Sequence, residues 1–213
     1  MTRWATFDCY GTLIDWNAGI RAELVRVFGD ERADEQLRHY HELEPTLQRD
    51  GKRSYREVMT EAMRRLGAPD GEEAGLADSL PTWQPFIEVR EALEEARGRG
   101  WRLAILSNTD TDFITASKAR LRVRFDETVV ASEIGSYKPA FGHWREFSRR
   151  TGADPAQHVH IGASLFHDIA PANELGLPSI WINRLGERPG PTPTLEQEDL
   201  RGLADALDSL VPH

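Results

Sequence analysis

Cysteine is almost absent from this 213-residue chain: Cys9 is the single one, so no intrachain disulfide can form. The carboxylate of Asp8 next to it would raise a thiol pKa and suppress the thiolate, so Cys9 reads as a small core residue rather than a reactive one. No apolar run approaches the roughly 18 residues of a membrane span. The N-terminus shows no basic segment, apolar core and cleavage site in succession, so the expected location is the cytosol. Positive charge is also scarce. With 26 Lys and Arg against 35 Asp and Glu, the formal net charge is -9, which argues against nucleic acid or an anionic membrane as partner and leaves room for one anionic substrate in a locally basic pocket. There is no internal repeat, and no low-complexity segment beyond a Pro- and Gly-rich loop from Gly186 to Thr194.

What is present describes an ordinary globular protein, 39% hydrophobic and 29% charged, long enough for one sizeable core with a smaller inserted unit. The short run Trp4-Ala5-Thr6-Phe7 reads as a buried strand leading into Asp8 and a Gly-containing loop. From Asp15 to about Pro85 only helical spacing appears. Apolar residues recur at Trp16, Ile20, Leu24, Val27 and Phe28, then over Glu35 to Leu47, then from Ser54 to Leu66, where Ser54 and Glu57 form a capping box. Arg49 to Lys52 reads as a turn, and Glu72 to Ser79 as a further helix. From Glu88 onward helices alternate with strands at Trp101 to Leu106, Thr128 to Ala131, His158 to Ile161 and Ser179 to Ile182, followed by a C-terminal helix near Leu195 to Leu210. This alternation predicts an α/β fold: a Rossmann-like parallel sheet with helices on both faces, formed by residues 1–14 and 86–213, with an inserted all-helical cap over 15–85.

Strand after strand ends in a side chain able to do chemistry: Asp8 with Thr12, Ser107 with Asn108, Lys138 just before a helix, then Ser164 and Asp168. In a parallel sheet the C-terminal strand ends lie side by side, so these groups can share one crevice. Each also has an ordinary reading. An Asp after a strand caps turns, Ser107 and Asn108 fit a helix start, Lys138 fits a solvated surface, and Asp168 fits a first helical turn favoured by the helix dipole. It is their joint occurrence in this order that carries weight.

Asp8-Cys9-Tyr10-Gly11-Thr12-Leu13, Leu106-Ser107-Asn108, Ser136-Tyr137-Lys138-Pro139 and the turn from Gly162 to Asp168 resemble the motifs of the haloacid dehalogenase superfamily of hydrolases, over essentially the whole chain. The first and third of these resemble the L-2-haloacid dehalogenase branch. Phe7 to Trp16, Ser164-Leu165-Phe166-His167-Asp168 and Pro171-Ala172-Asn173 further resemble the azetidine-2-carboxylate hydrolases. The resemblance implies that Asp8 is a nucleophile forming a covalent ester. It implies that Lys138 keeps Asp8 ionised, and that Thr12, Ser107 and Asn108 orient the nucleophile and hold the substrate carboxylate. It also implies that Asp168 positions water, anchors Lys138 or ligates magnesium, and that a homodimer can form through the cap.

Tyr10 bears on the reaction class. Phosphatases of the superfamily carry a second aspartate at that position as general acid, and its loss should slow alkoxide departure by about 10²- to 10⁴-fold. A halide leaves unprotonated and a strained ring amine arrives protonated, so the expected reaction is displacement at carbon on a small carboxylic acid, with no cofactor. The alternatives are a phosphatase holding Mg²⁺ on Asp8 and Asp168, and a non-catalytic binding protein. Ala163, Leu165 and Trp144 depart from the dehalogenase pattern, and Arg38 and His39 both lie near the register of its leaving-group arginine. His167, with a reference pKa near neutrality, is a candidate water activator or else a packed helix-start residue. Trp16, Tyr40, Tyr55, Trp83 and Trp144 either wall the pocket or fill the core.

Overall fold

A computed structural model describes residues 2–49, 51–188 and 190–212; Asp50 of the expected turn and Pro189 of the expected loop lie outside them. Among the described residues six parallel strands form one sheet, β1 (Trp4–Phe7), β2 (Arg102–Ser107), β3 (Glu127–Val130), β4 (His158–Gly162), β5 (Ser179–Ile182) and β6 (Leu195–Gln197), in the order β3-β2-β1-β4-β5-β6. Strand β1 is central. Phe7 pairs with Ile105 of β2 on one side and Ile161 of β4 on the other, and the strand order reverses there, which is where open α/β sheets form their binding crevice. Asp8 is the first residue past that point.

Helices cover both faces of the sheet. On one face Ala5, Phe7, Leu103, Ile105, Val159 and Ile161 pack with α5 (Val89–Gly98), α6 (Thr111–Leu121) and α10 (Leu203–Leu210). The other face is formed by Trp4, Ala104, Leu106 and Val129 with Trp144 and Phe147 of α8 (Gly142–Thr151) and Ala172 of α9 (Ala170–Glu174). This alternation along each strand is what a sheet buried on both sides requires. A short helix α7 (Ala131–Ile134) follows β3.

Between β1 and α5 lie α1 (Trp16–Phe28), α2 (Asp30–Gln48), α3 (Tyr55–Arg65) and α4 (Gly75–Ser79). Asp15 caps α1 by accepting from the Ala18 amide, and Ser54 with Glu57 forms the expected capping box on α3. The two connections to the core pair with each other: Ile14 bridges Pro85, and the amides of Asp15 and Phe86 donate to the carbonyls of Gln84 and Leu13. Asp110 of the core accepts from the amides of Tyr55 and Arg56 at 2.9 Å each. It thereby satisfies the open N-terminal turn of α3 from across the interface.

Two expectations need correction. Helix α2 starts at Asp30 rather than Glu35 and runs through Pro45, because the polar stretch before Glu35 is capped into helix by the Gly29 turn (φ 84°). Leu195–Gln197 is a strand rather than the start of the last helix. As a half-exposed edge strand of three residues lacking β-branched side chains, it carries no strand signal of its own. Among the described residues no helix is long and apolar enough to cross a membrane.

Candidate active site

The loop after β1 closes on itself. The amides of Leu13 and Ile14 both donate to the Cys9 carbonyl, and that of Gly11 to Ile14. Gly11 takes φ +91°, a backbone state open mainly to glycine. This compact turn aims Asp8 into a cavity of about 560 Å³ at the strand ends, between the sheet and the helical insert.

Lys138 Nζ donates to Asp8 Oδ1 at 2.9 Å and to Asp168 Oδ1 at 2.6 Å, bridging the two carboxylates. Thr12 Oγ1 donates to Asp8 Oδ2 (3.1 Å) and accepts from the Ala163 amide (2.9 Å), which locks the nucleophile loop to the loop after β4. Asp168 Oδ2 accepts from the Ser164 amide at 3.2 Å, and His160 Nε2 lies 3.3 Å from Oδ1. Asp168 can sit so close to β4 only because residue 162 is glycine; a Cβ there would meet the Asp168 carboxyl carbon at 2.4 Å. Ser164 caps the wide helical turn Leu165–Ile169 that carries His167 and Asp168.

One ammonium shared by two buried carboxylates leaves them unequal. For Asp168 burial pushes the pKa upward, but the Lys138 charge and the His160 hydrogen bond outweigh it and hold the carboxyl below the usual range. For Asp8 burial wins over the Lys138 charge, and the negative charge of Asp168 adds to it, pushing the pKa up to about 6. Burial would lower Lys138, but the two carboxylates raise it above its ordinary value and keep it charged.

The other candidates fall in different places. Ser107 lines the cavity; its Oγ is buried with no hydrogen-bond partner among the described residues. Both ends of the Asn108 amide are used on the backbone of Lys138, with Oδ1 accepting from the amide at 2.6 Å and Nδ2 donating to the carbonyl at 3.0 Å. Asn108 therefore positions the lysine. Tyr10 turns its ring to the cavity and its hydroxyl to Ser117 Oγ, 3.0 Å away on α6, and burial raises its pKa above the ordinary phenol value. His167 lines the cavity with Nδ1 3.1 Å from Ser164 Oγ, and burial lowers its pKa to about 4, so the ring is neutral near pH 7.

Arg38 and His39 are exposed and outside the cavity. The inward stripe of α2 is His41, Glu44, Pro45 and Gln48, at helical spacing. Trp144 is also outside: it is 4% exposed, packed edge-on against His160 on the far face of the sheet, with Phe147 one turn on. Of the aromatic candidates Trp16 and Tyr55 line the cavity, while Tyr40 and Trp83 are core.

Arg184, just past β5, was not among the expected residues. Its Nη2 donates to the Thr12 carbonyl (2.8 Å) and to Glu88 (2.7 Å), and its guanidinium stacks on Phe86. Like Asp8 it lies just past a strand end, so the same positional signal would have found it. His160 was marked by being polar in a buried strand.

Both oxygens of each central carboxylate already accept hydrogen bonds, and among the described residues no three His, Cys, Asp or Glu side chains are grouped to hold a metal ion. The donor set does not fit a magnesium ion, which takes six oxygen ligands.

A strand-end aspartate bridged by lysine to a second aspartate, under a helical insert, defines a class of hydrolase. The sequence pattern of haloacid dehalogenase-like hydrolases matches residues 2–176, and the chain belongs to that family. Among its relatives, the (S)-2-haloacid dehalogenase of Pseudomonas sp. (strain YL) is 29% identical over 217 aligned positions, 95% of this chain and 93% of that protein. A glyceraldehyde 3-phosphate phosphatase of Methanothermobacter thermautotrophicus is 31% identical, over 47% of this chain and 45% of its own. The fold matches that of the L-2-haloacid dehalogenase from Xanthobacter autotrophicus solved with chloropropionic acid covalently bound, with a TM-score of 0.85, 18% identity, and 97% and 98% of the two chains covered. The protein is thus a haloacid dehalogenase-like hydrolase, similar over 95% of its length to a 2-haloacid dehalogenase.

Proposed function

We propose that this hydrolase displaces a leaving group from C2 of a small carboxylic acid through an ester on Asp8. The observation that carries this reading is the Asp8–Lys138–Asp168 bridge with a tyrosine, not an acid, at position 10. Thr12 and Lys138 aim the Asp8 oxygens and compensate their charge, and the unpartnered Ser107 hydroxyl receives the substrate carboxylate. In the second half-reaction water attacks the ester carbonyl of Asp8, and the neutral His167 ring takes its proton. Tyr10, with its hydroxyl held by Ser117 and its pKa raised, supplies no acid to a leaving alkoxide, so only groups that depart without one are turned over. The reaction uses no cofactor.

The phosphatase reading is supported by the partial match to the glyceraldehyde 3-phosphate phosphatase. A single assay set separates the two: 2-chloropropionate, L-azetidine-2-carboxylate and p-nitrophenyl phosphate, each with EDTA or with magnesium. Turnover of a carbon substrate in EDTA is the expected outcome. Magnesium-dependent turnover of the phosphate ester alone would overturn the proposal.

A further inference from the structure

Beneath the cavity, inside the sheet, three polar side chains stand where apolar ones would serve a core. Thr6 of β1 and His158 and His160 of β4 share one face, since side chains alternate along a strand and Thr6 pairs in register with His160. All three are buried, and none lines the cavity. Two aromatic rings of α8 cover the imidazoles: Trp144 lies 5.1 Å from His160 and Phe147 lies 4.9 Å from His158, centroid to centroid. Such a stripe adds little stability that apolar side chains of the same shape would not. What it does add is a donor aimed at Asp168.

The hydrogen bonds of the stripe run in one direction. Asp168 is ionised and its oxygens only accept, so His160 Nε2, 3.3 Å from Oδ1, carries a proton. Burial lowers the His160 pKa, so the ring is neutral and its Nδ1 is bare. Thr6 Oγ1 is 2.9 Å from that nitrogen and must donate to it. The Val159 carbonyl, 3.5 Å from the same hydroxyl oxygen, is too distant to compete. With its one proton committed, Thr6 accepts from His158 Nε2 at 2.7 Å, which makes that nitrogen an N–H as well. The order of donation is therefore His158 to Thr6 to His160 to Asp168, set from its far end by the carboxylate.

We propose that this buried stripe aims Asp168, and that His160 and Thr6 are positioning residues acting on the nucleophile through Asp168 and Lys138. Asp168 Oδ1 accepts from both Lys138 and His160, and Oδ2 accepts from the Ser164 amide. Without the His160 donor the charge on Oδ1 is compensated by the ammonium alone. That draws Lys138 toward Asp168 and away from Asp8, 2.9 Å on its other side. The demand is greatest in the intermediate. Once Asp8 is esterified it carries no charge, and a fixed Asp168 holds the ammonium where hydrolysis of the ester needs it. That last consequence rests on the Asp8 ester reading; the direction of the stripe does not.

NMR of the protein carrying ¹⁵N-histidine reads the tautomers without any substrate. His158 and His160, assigned from the spectra of His158→Gln and His160→Gln, are expected as neutral Nε2–H rings near pH 7. An imidazolium at His160, or an Nδ1–H tautomer at either ring, would overturn the proposal. Kinetics read the consequence on 2-chloropropionate or L-azetidine-2-carboxylate, whichever the wild type turns over. His160→Leu should lower kcat by about 10- to 100-fold, as loss of a hydrogen bond to a charged group does. KM should change by less than about threefold, because the residue touches no substrate. His160→Gln, whose amide can still donate to Asp168, should turn over at least about fivefold faster than His160→Leu. Equal kcat losses in the two variants, or a rise in KM alone, would make His160 a packing residue and overturn the proposal. Thr6→Val, which keeps the shape and removes the hydroxyl, should lower kcat by about three- to tenfold; a wild-type kcat would contradict the role of Thr6. Should the wild type hydrolyse only p-nitrophenyl phosphate, the reading of displacement at carbon would fall, and the same comparison of kcat on that ester would still decide whether His160 supports Asp168.

Discussion

On the floor of the cavity all four oxygens of Asp8 and Asp168 accept hydrogen bonds, from Lys138, Thr12, the Ser164 amide and His160. On its ceiling Trp16 Nε1, Asn17 Oδ1 and His41 Nε2 are buried with no partner among the described residues, and Glu44 has only Tyr55. A buried polar group without a partner costs about 1–3 kcal/mol. The floor is therefore held in one arrangement before substrate arrives, as a site that stabilises developing charge must be. The ceiling has polar groups left over for a ligand to satisfy, which suits selection rather than bond making. Among the described residues the floor has two exceptions, Ser107 Oγ, at the place assigned to the substrate carboxylate, and Arg184 Nε.

Substitutions should divide along the same line. Asp8→Asn is expected to reduce turnover by about 10⁴-fold or more, as loss of a nucleophile does, without lowering Tm, because ionising a carboxyl whose pKa is raised to about 6 opposes folding at pH 7; steady-state rates and thermal melts check both halves. Lys138→Met should abolish activity and, unlike Asp8→Asn, lower Tm, since it strands two buried carboxylates at a cost of about 3–5 kcal/mol. If Lys138→Met melted like the wild type, the claim of a preorganised floor would fail. The pH profile comes next. Asp8 attacks only when ionised, so kcat/KM should fall about tenfold per unit below about pH 6, and an acid limb near 4 would show that burial does not govern Asp8. The smallest effect is expected at Arg38→Ala and His39→Ala, within about twofold of wild type because both residues are exposed surface positions; a tenfold loss at either would place a cationic group on the ceiling after all.

The floor was legible in the sequence because a parallel sheet turns chain order into neighbourhood. Asp8 follows β1, Ser107 ends β2, Lys138 lies in the connection after β3 and α7, and Asp168 in the turn after β4, and strand ends converge whatever the intervening loops do. Thr12 was visible through its motif. The ceiling was less legible, since its inward stripe depends on where a helix starts. The register of the family's leaving-group arginine drew attention to Arg38 and His39, whereas the stripe of α2 that faces the cavity is His41, Glu44, Pro45 and Gln48. Trp144 was drawn in by the family pattern and by its aromatic ring, neither of which says that its face of α8 packs on the sheet away from the crevice. Partnerships across the fold, such as Asp110 with the α3 amides or His160 with Asp168, had no local signal, because the groups they satisfy lie 55 and 8 residues away. The buried strand β4 did carry the hint of two histidines where apolar residues belong.

The central claim is that Asp8 carries the substrate as an ester hydrolysed at its own carbonyl. Turnover for many cycles in ¹⁸O-water, followed by mass spectrometry of the peptide containing Asp8, tests it directly. The account predicts that the Asp8 carboxylate gains ¹⁸O, because water oxygen enters the side chain before it reaches later products. A fully active enzyme whose Asp8 peptide stays unlabelled while the first-formed product carries the label would contradict it.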